Sequence, residues 1–80
     1  MSKTFITTEQ RQLSQMRERI IGRRKALGIT QEVMAHEIGK ARNTYSDIER
    51  DLGKAHLEDF LAIIRRLELE QDMLDIVQRK

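Results

Sequence analysis

The sequence predicts an all-α domain of five helices, on three observations. Its 80 residues include no Pro and only four Gly, and Leu, Ile, Glu, Arg and Gln are abundant, a composition that favours helix nearly throughout. Apolar residues recur three and four positions apart instead of alternating. Thr caps and Gly stops punctuate the chain at intervals that suit short helices. A chain this long forms one domain, 1–80, and buries only roughly 60% of the surface that its unfolded form exposes. Self-association would help such a domain.

Residues 1–6 are expected to form a flexible arm, with Phe5 and Ile6 as two apolar side chains in a polar tail. Thr7-Thr8-Glu9-Gln10 has the S/T-x-x-Q pattern of a capping box, so a first helix should start there. Leu13, Met16, Ile20 and Leu27 fall on one face of it, with Ile21 beside them, and Gly28 can close it in the left-handed conformation. Thr30 should cap a second helix, Gln31 to Ile38, which Gly39 ends. A third runs from Arg42 to Arg50 behind Ala41, a poor cap. Asp51 to Lys54 make the exit turn. Leu57, Phe60, Leu61, Ile64 and Leu67 predict an amphipathic fourth helix. Residues 68–80 hold a fifth, carrying Leu69, Met73, Leu74, Ile76 and Val77, and no Gly or Pro marks the boundary near Glu68.

The stretch 30–51 organises the rest. Its apolar positions Met34, Ala35, Ile38, Tyr45 and Ile48 face inward from two short helices joined by a tight turn. The second of these leaves Arg42, Asn43, Ser46, Asp47 and Arg50 on one polar stripe, because they fall at i, i+1, i+4, i+5 and i+8. Each can hydrogen-bond a base edge or a phosphate. A helix-turn-helix with such a stripe suits the major groove of double-stranded DNA.

Composition narrows the alternatives. There is no Cys, hence no disulfide framework and no thiolate metal site, and the chain suits a reducing cytoplasm. No run of 18 apolar residues points to a membrane span. Net charge is only +2, but residues 1–30 carry seven Lys or Arg against two Glu, whereas residues 57–80 carry four against six acids. The basic end therefore suits phosphate and the acidic end suits protein. His36 and His56 have no ligand-spaced partners, so neither a metal nor a cofactor is expected. No nucleophile–base set and no Gly-rich phosphate loop is present, which argues against an enzyme.

At this point the chain resembles the lambda-repressor-like helix-turn-helix domains, also called the xenobiotic-response-element family. The likeness covers Ile20 to Leu69: Arg23 to Gln31 (RRKALGITQ), Ala35, Gly39, Ile48-Glu49-Arg50 and the Leu57-to-Leu69 pattern. It implies a five-helix bundle with the helix-turn-helix at helices two and three. It also implies roles for the stripe. Arg42 and Asn43 would read bases, Arg on guanine and Asn on adenine, with Ser46 and Asp47 as further base contacts. Asp47 has two other readings, orienting Asn43 or pairing with Arg50. Thr30, Gln31, Lys40, Thr44, Arg50 and Lys54 would hold phosphates, Gln31 at the positive end of helix two. Arg24 and Glu49 match positions of a structural ion pair. Two residues depart from the family pattern. Ala41 replaces a usual Ser or Thr, and Asp51 stands where Gly usually ends the third helix, so Asp51 is expected to take the left-handed conformation.

The implied function is a sequence-specific repressor that binds a palindromic operator as a homodimer and regulates its own promoter. The rival is an antitoxin that neutralises a toxin partner protein as well as binding DNA. Leu52, Leu69, Met73 and Ile76 are expected at the dimer contact, because the C-terminal third is acidic and helix five is apolar on more than one side. Val33 is a further apolar residue on an outer face.

Overall fold

The computed structural model describes residues 5–78, all of whose regular structure is helical. Lys3 and Thr4, part of the expected arm, lie outside the described residues; Phe5 and Ile6 are exposed and in no regular element. The helices are α1 (Thr8–Ala26), α2 (Gln31–Glu37), α3 (Arg42–Arg50), α4 (Leu57–Arg66) and α5 (Glu70–Gln78), with a 3-10 turn, Leu52–Lys54, between α3 and α4.

The capping box forms at α1. The Gln10 N–H donates to Thr7 Oγ1 and the Thr7 N–H donates to Gln10 Oε1, both at 3.0 Å. Thr30 caps α2 by accepting the Val33 N–H at 3.1 Å, and Ala41 gives α3 no side-chain cap. Both α1 and α2 end in Schellman turns. At the first, Gly28 (φ +71°) and Ile29 donate back to Lys25 and Arg24 carbonyls, each at 3.0 Å.

The end of α4 repeats this geometry without glycine. Glu68 takes φ +55°, its N–H donates to the Arg65 carbonyl at 3.2 Å, and the Leu69 N–H donates to Ile64 at 2.9 Å. Leu69 and Ile64 are both buried, so their packing holds Glu68 in a conformation costing roughly 1–2 kcal/mol for a residue with a Cβ. Asp51, in contrast, is not left-handed: φ is −139° and ψ 84°. The 3-10 turn that follows makes the corner instead.

Met16 and Ile20 of α1, Met34 and Ala35 of α2, and Tyr45 and Ile48 of α3 meet Ile63, Ile64 and Leu67 of α4 in one core. α2 packs on α3, and α1 packs on α3 and α5. Arg19 bonds Asp72 at 2.6 Å, and Gln12 Nε2 donates to the Ile76 carbonyl at 3.2 Å, fastening α1 to α5.

Two expectations about apolar faces are corrected. Leu57 and Leu61 are 71% and 52% exposed, and Leu27 is also exposed. α4 turns Asp59, Ile63 and Ile64 inward, with Phe60 half-buried, and Asp59 meets Lys40 Nζ at 3.5 Å. That rotation carries Leu57 and Leu61 out of the core. Conversely, Leu52, Leu69 and Ile76 belong to the chain's own core, at 6%, 1% and 2% exposure, and offer a second copy no surface. Of the residues expected at a dimer contact, only Met73 retains an accessible edge.

Candidate nucleic-acid interface

The site is built outward from a buried anchor at the end of α3. Arg24 of α1 donates from Nε to Glu49 Oε2 at 2.8 Å and from Nη2 to Oε1 at 3.1 Å; its Nη1 reaches the Ile29 carbonyl at 2.9 Å. Gln31 Nε2 donates to Glu49 Oε1 at 2.9 Å. Arg17 Nε donates to the Glu49 main-chain carbonyl at 2.6 Å, at the negative end of the helix dipole. Glu49 therefore ties α3 to α1 twice and to α2 once.

The charges agree with this geometry. Burial alone would raise the Glu49 carboxyl, but hydrogen bonding to Arg24, with Gln31 adding to it, holds the group below its ordinary value of 4.5. The hydrogen bond to Glu49 outweighs burial at Arg24 and raises its guanidinium further. The Tyr45 ring is fully buried beside the pair. Its hydroxyl makes no hydrogen bond of normal geometry, and burial, then Glu49, push its ionisation well above the usual tyrosine range.

Anchored in this way, α3 turns Arg42, Asn43, Thr44, Asp47 and Arg50 to solvent, with Ser46 half-buried. Two open hollows flank it. One, of about 630 Å³, gathers Thr30, Gln31 and Arg42 where the N-terminal ends of α2 and α3 meet. The other, of about 430 Å³, gathers Thr44, Asp47, Arg50 and Lys54 beside the 3-10 turn. Lys40 is turned to Asp59, outside the first hollow. Asp47 pairs with Arg50, and Asp51 lies 3.7 Å from Lys54. Both pairs are exposed and weak enough for phosphate to replace the carboxylates. Gln31 is shared: its amide nitrogen serves Glu49, which leaves its carbonyl oxygen to other partners.

A helix-turn-helix family model matches residues 20–70, more than half of the chain. The chain belongs to the lambda-repressor-like helix-turn-helix family. It is a DNA-binding regulator of the xenobiotic-response-element type, and its five helices without a strand among the described residues fit that family's all-α bundle. No curated protein and no solved structure matches it. Among the described residues, no helix is long and apolar enough to cross a membrane, and no three His, Asp or Glu side chains are placed to hold a metal ion.

Within this helix-turn-helix protein, sequence reasoning missed Arg17. The available signal was its spacing of seven from Arg24, two helical turns along one face of α1. The acceptor is a main-chain carbonyl, which no residue pattern displays.

Proposed function

We propose that the protein represses transcription by binding a pseudo-palindromic operator as a homodimer, at its own promoter among other sites. The observation that carries this reading is the bare N-terminal turn of α3. Arg42 and Asn43 are exposed there, with no hydrogen-bond or ion-pair partner among the described residues, on a helix whose other end is locked. In this reading Arg42 and Asn43 read purine edges in the major groove, and Ser46 and Asp47 make secondary contacts. Thr30 and Gln31 hold phosphate on one side, and Thr44, Arg50 and Lys54 hold it on the other, with Lys40 at the margin. Two such helices about 34 Å apart would read one face of the duplex over one turn.

Titration against the promoter of the protein's own gene and against random duplex tests the reading. Tighter binding to the promoter, with repression of a reporter that carries it, is expected. Equal affinity for both would overturn it. An antitoxin role is a second reading, favoured by the outward Leu74 and Val77 of α5, apolar side chains that the proposed DNA contacts leave unused. A stoichiometric complex with the product of the adjacent reading frame would support that role.

A further inference from the structure

The outward side of α4 carries apolar surface that the core leaves uncovered. Leu57, Leu61 and Ala62, with Met73 from α5, line a shallow groove of about 750 Å³ rimmed by Glu58, Arg65 and Glu70. Leu57 is the most exposed large aliphatic side chain among the described residues, at 71%. Glu58 and Arg65 have no ion-pair or hydrogen-bond partner among those residues, although neighbouring Arg66 is bound to Glu37. An exposed apolar strip rimmed by charges of both signs marks an interaction surface.

We propose, resting on the DNA-binding reading above, that this groove is where two copies of the chain meet, α4 against α4, antiparallel about a two-fold axis. The sign pattern favours a second copy over another protein. Glu58 lies in the first turn of α4 and Arg65 in the last, so these two charges complement each other when the helix is reversed, while Glu70 of α5 stays at the groove's margin. An axis passing between positions 61 and 62 sets Glu58 against Arg65 of the partner subunit, and Arg65 against the partner's Glu58. The same axis sets Leu61 over the partner's Ala62, whose small side chain lets the helices approach. Both leucines then leave water in each copy. The symmetry that results is that of a palindrome.

Sedimentation velocity of the full chain without DNA, at micromolar concentration, tests the interface. The unaltered protein should sediment as a dimer. Leu61→Lys should raise its dissociation constant about a hundredfold or more, since each change removes two central apolar contacts. The circular dichroism and melting temperature of Leu61→Lys should stay close to those of the unaltered chain at low concentration, because Leu61 lies outside the core. Glu58→Arg and Arg65→Glu should each weaken the dimer about tenfold, and the double change should restore it. The charge swap keeps the test open if Leu61→Lys fails to fold. A monomer in the unaltered protein overturns the proposal, as does a dimer indifferent to Leu61→Lys or one dissociated by Leu74→Lys instead. Site selection on DNA is read separately. A monomer that selects half-sites would sink the interface and leave DNA reading intact, whereas a dimer that selects nothing would do the reverse.

Discussion

At its C-terminal end α3 is fastened by Arg17, Arg24 and Gln31 from two other helices, all through Glu49, and Tyr45 fills the core beneath. At its N-terminal end Ala41 provides no cap, and Arg42 and Asn43 extend into solvent. One end therefore bears the structural cost of placing the helix, and the other is free to meet a ligand. A side chain can discriminate among bases only if its backbone is held in place, and here the holding is done by Arg17, Arg24 and Glu49, none of them a proposed DNA contact, with Gln31 shared between the two tasks. Mutations at the two ends should thus fail in different ways.

The largest effects belong to the buried end. Tyr45→Ala should cost roughly 3–5 kcal/mol, as large aromatic truncations do, enough to unfold much of a domain this small at ordinary temperature. Tyr45→Phe should change stability by less than about 1 kcal/mol, since it removes a hydroxyl that lacks a well-formed hydrogen bond. Urea denaturation of both variants checks the pair. Equal losses would show that the hydroxyl, and not the ring, matters.

Removing one member of the ion pair comes next. Arg24→Ala or Glu49→Ala should cost about 3–5 kcal/mol, because each leaves a buried charge alone, while replacing both by Met and Leu should recover much of the loss. The pair also sets an acid limit. The Glu49 carboxyl is held below 4.5 in the folded chain, so the unfolded chain binds its proton first as pH falls. That stability is fully present above about pH 4.5, the ordinary value, and is lost as pH drops through the depressed folded value. Melting temperatures followed from pH 7 to pH 3 should show a steeper decline in the unaltered chain than in Glu49→Gln.

At the open end the effects move from stability to recognition. Arg42→Ala and Asn43→Ala should leave melting almost unchanged and should each remove about 1–3 kcal/mol of discrimination at particular base pairs. Arg50→Ala should weaken all duplexes alike and lower the slope of log affinity against log salt by about one unit. Asp47→Asn should tighten random-duplex binding modestly, since it frees Arg50 and removes a negative charge from the exposed face of α3.

Away from α3, the smallest expected change is a gain. Glu68→Gly should raise stability by about 0.5–1 kcal/mol, the left-handed strain relieved less the added freedom of the unfolded chain. A loss in thermal melting would show that the Glu68 side chain matters more than its backbone.

The bounds of α3, the capping box of α1 and the glycine stop of α1 were legible because each depends on residues within one turn of one another. The rotation of α4 was not. Leu57, Phe60, Leu61, Ile64 and Leu67 satisfy helical spacing, but they span an arc wider than the core accepts. Which edge turns in is decided by the burial of Ile63, Ile64 and Leu67 against the other helices, and Asp59 on the same side meets Lys40 of the turn between α2 and α3. The turn at Glu68 was hidden for a similar reason, since burial of Leu69 and Ile64 holds a residue that local preference would place elsewhere. At the interface the residue types of α3 were readable. The partition of Gln31 between Glu49 and a ligand, and the part played by Arg17, depend on distances between helices and become visible only in the fold.

Base reading by α3 is tested most directly by selection of binding sites from a random duplex pool, run in parallel with the unaltered protein, Arg42→Ala, Asn43→Ala and Arg50→Ala. The unaltered chain should select a two-fold-symmetric motif. Arg42→Ala and Asn43→Ala should each lose preference at their own positions in both half-sites, and Arg50→Ala should keep the whole motif at lower affinity. Recovery of one unchanged motif by all four proteins, or of none by any, would contradict the claim that the open end of α3 reads sequence.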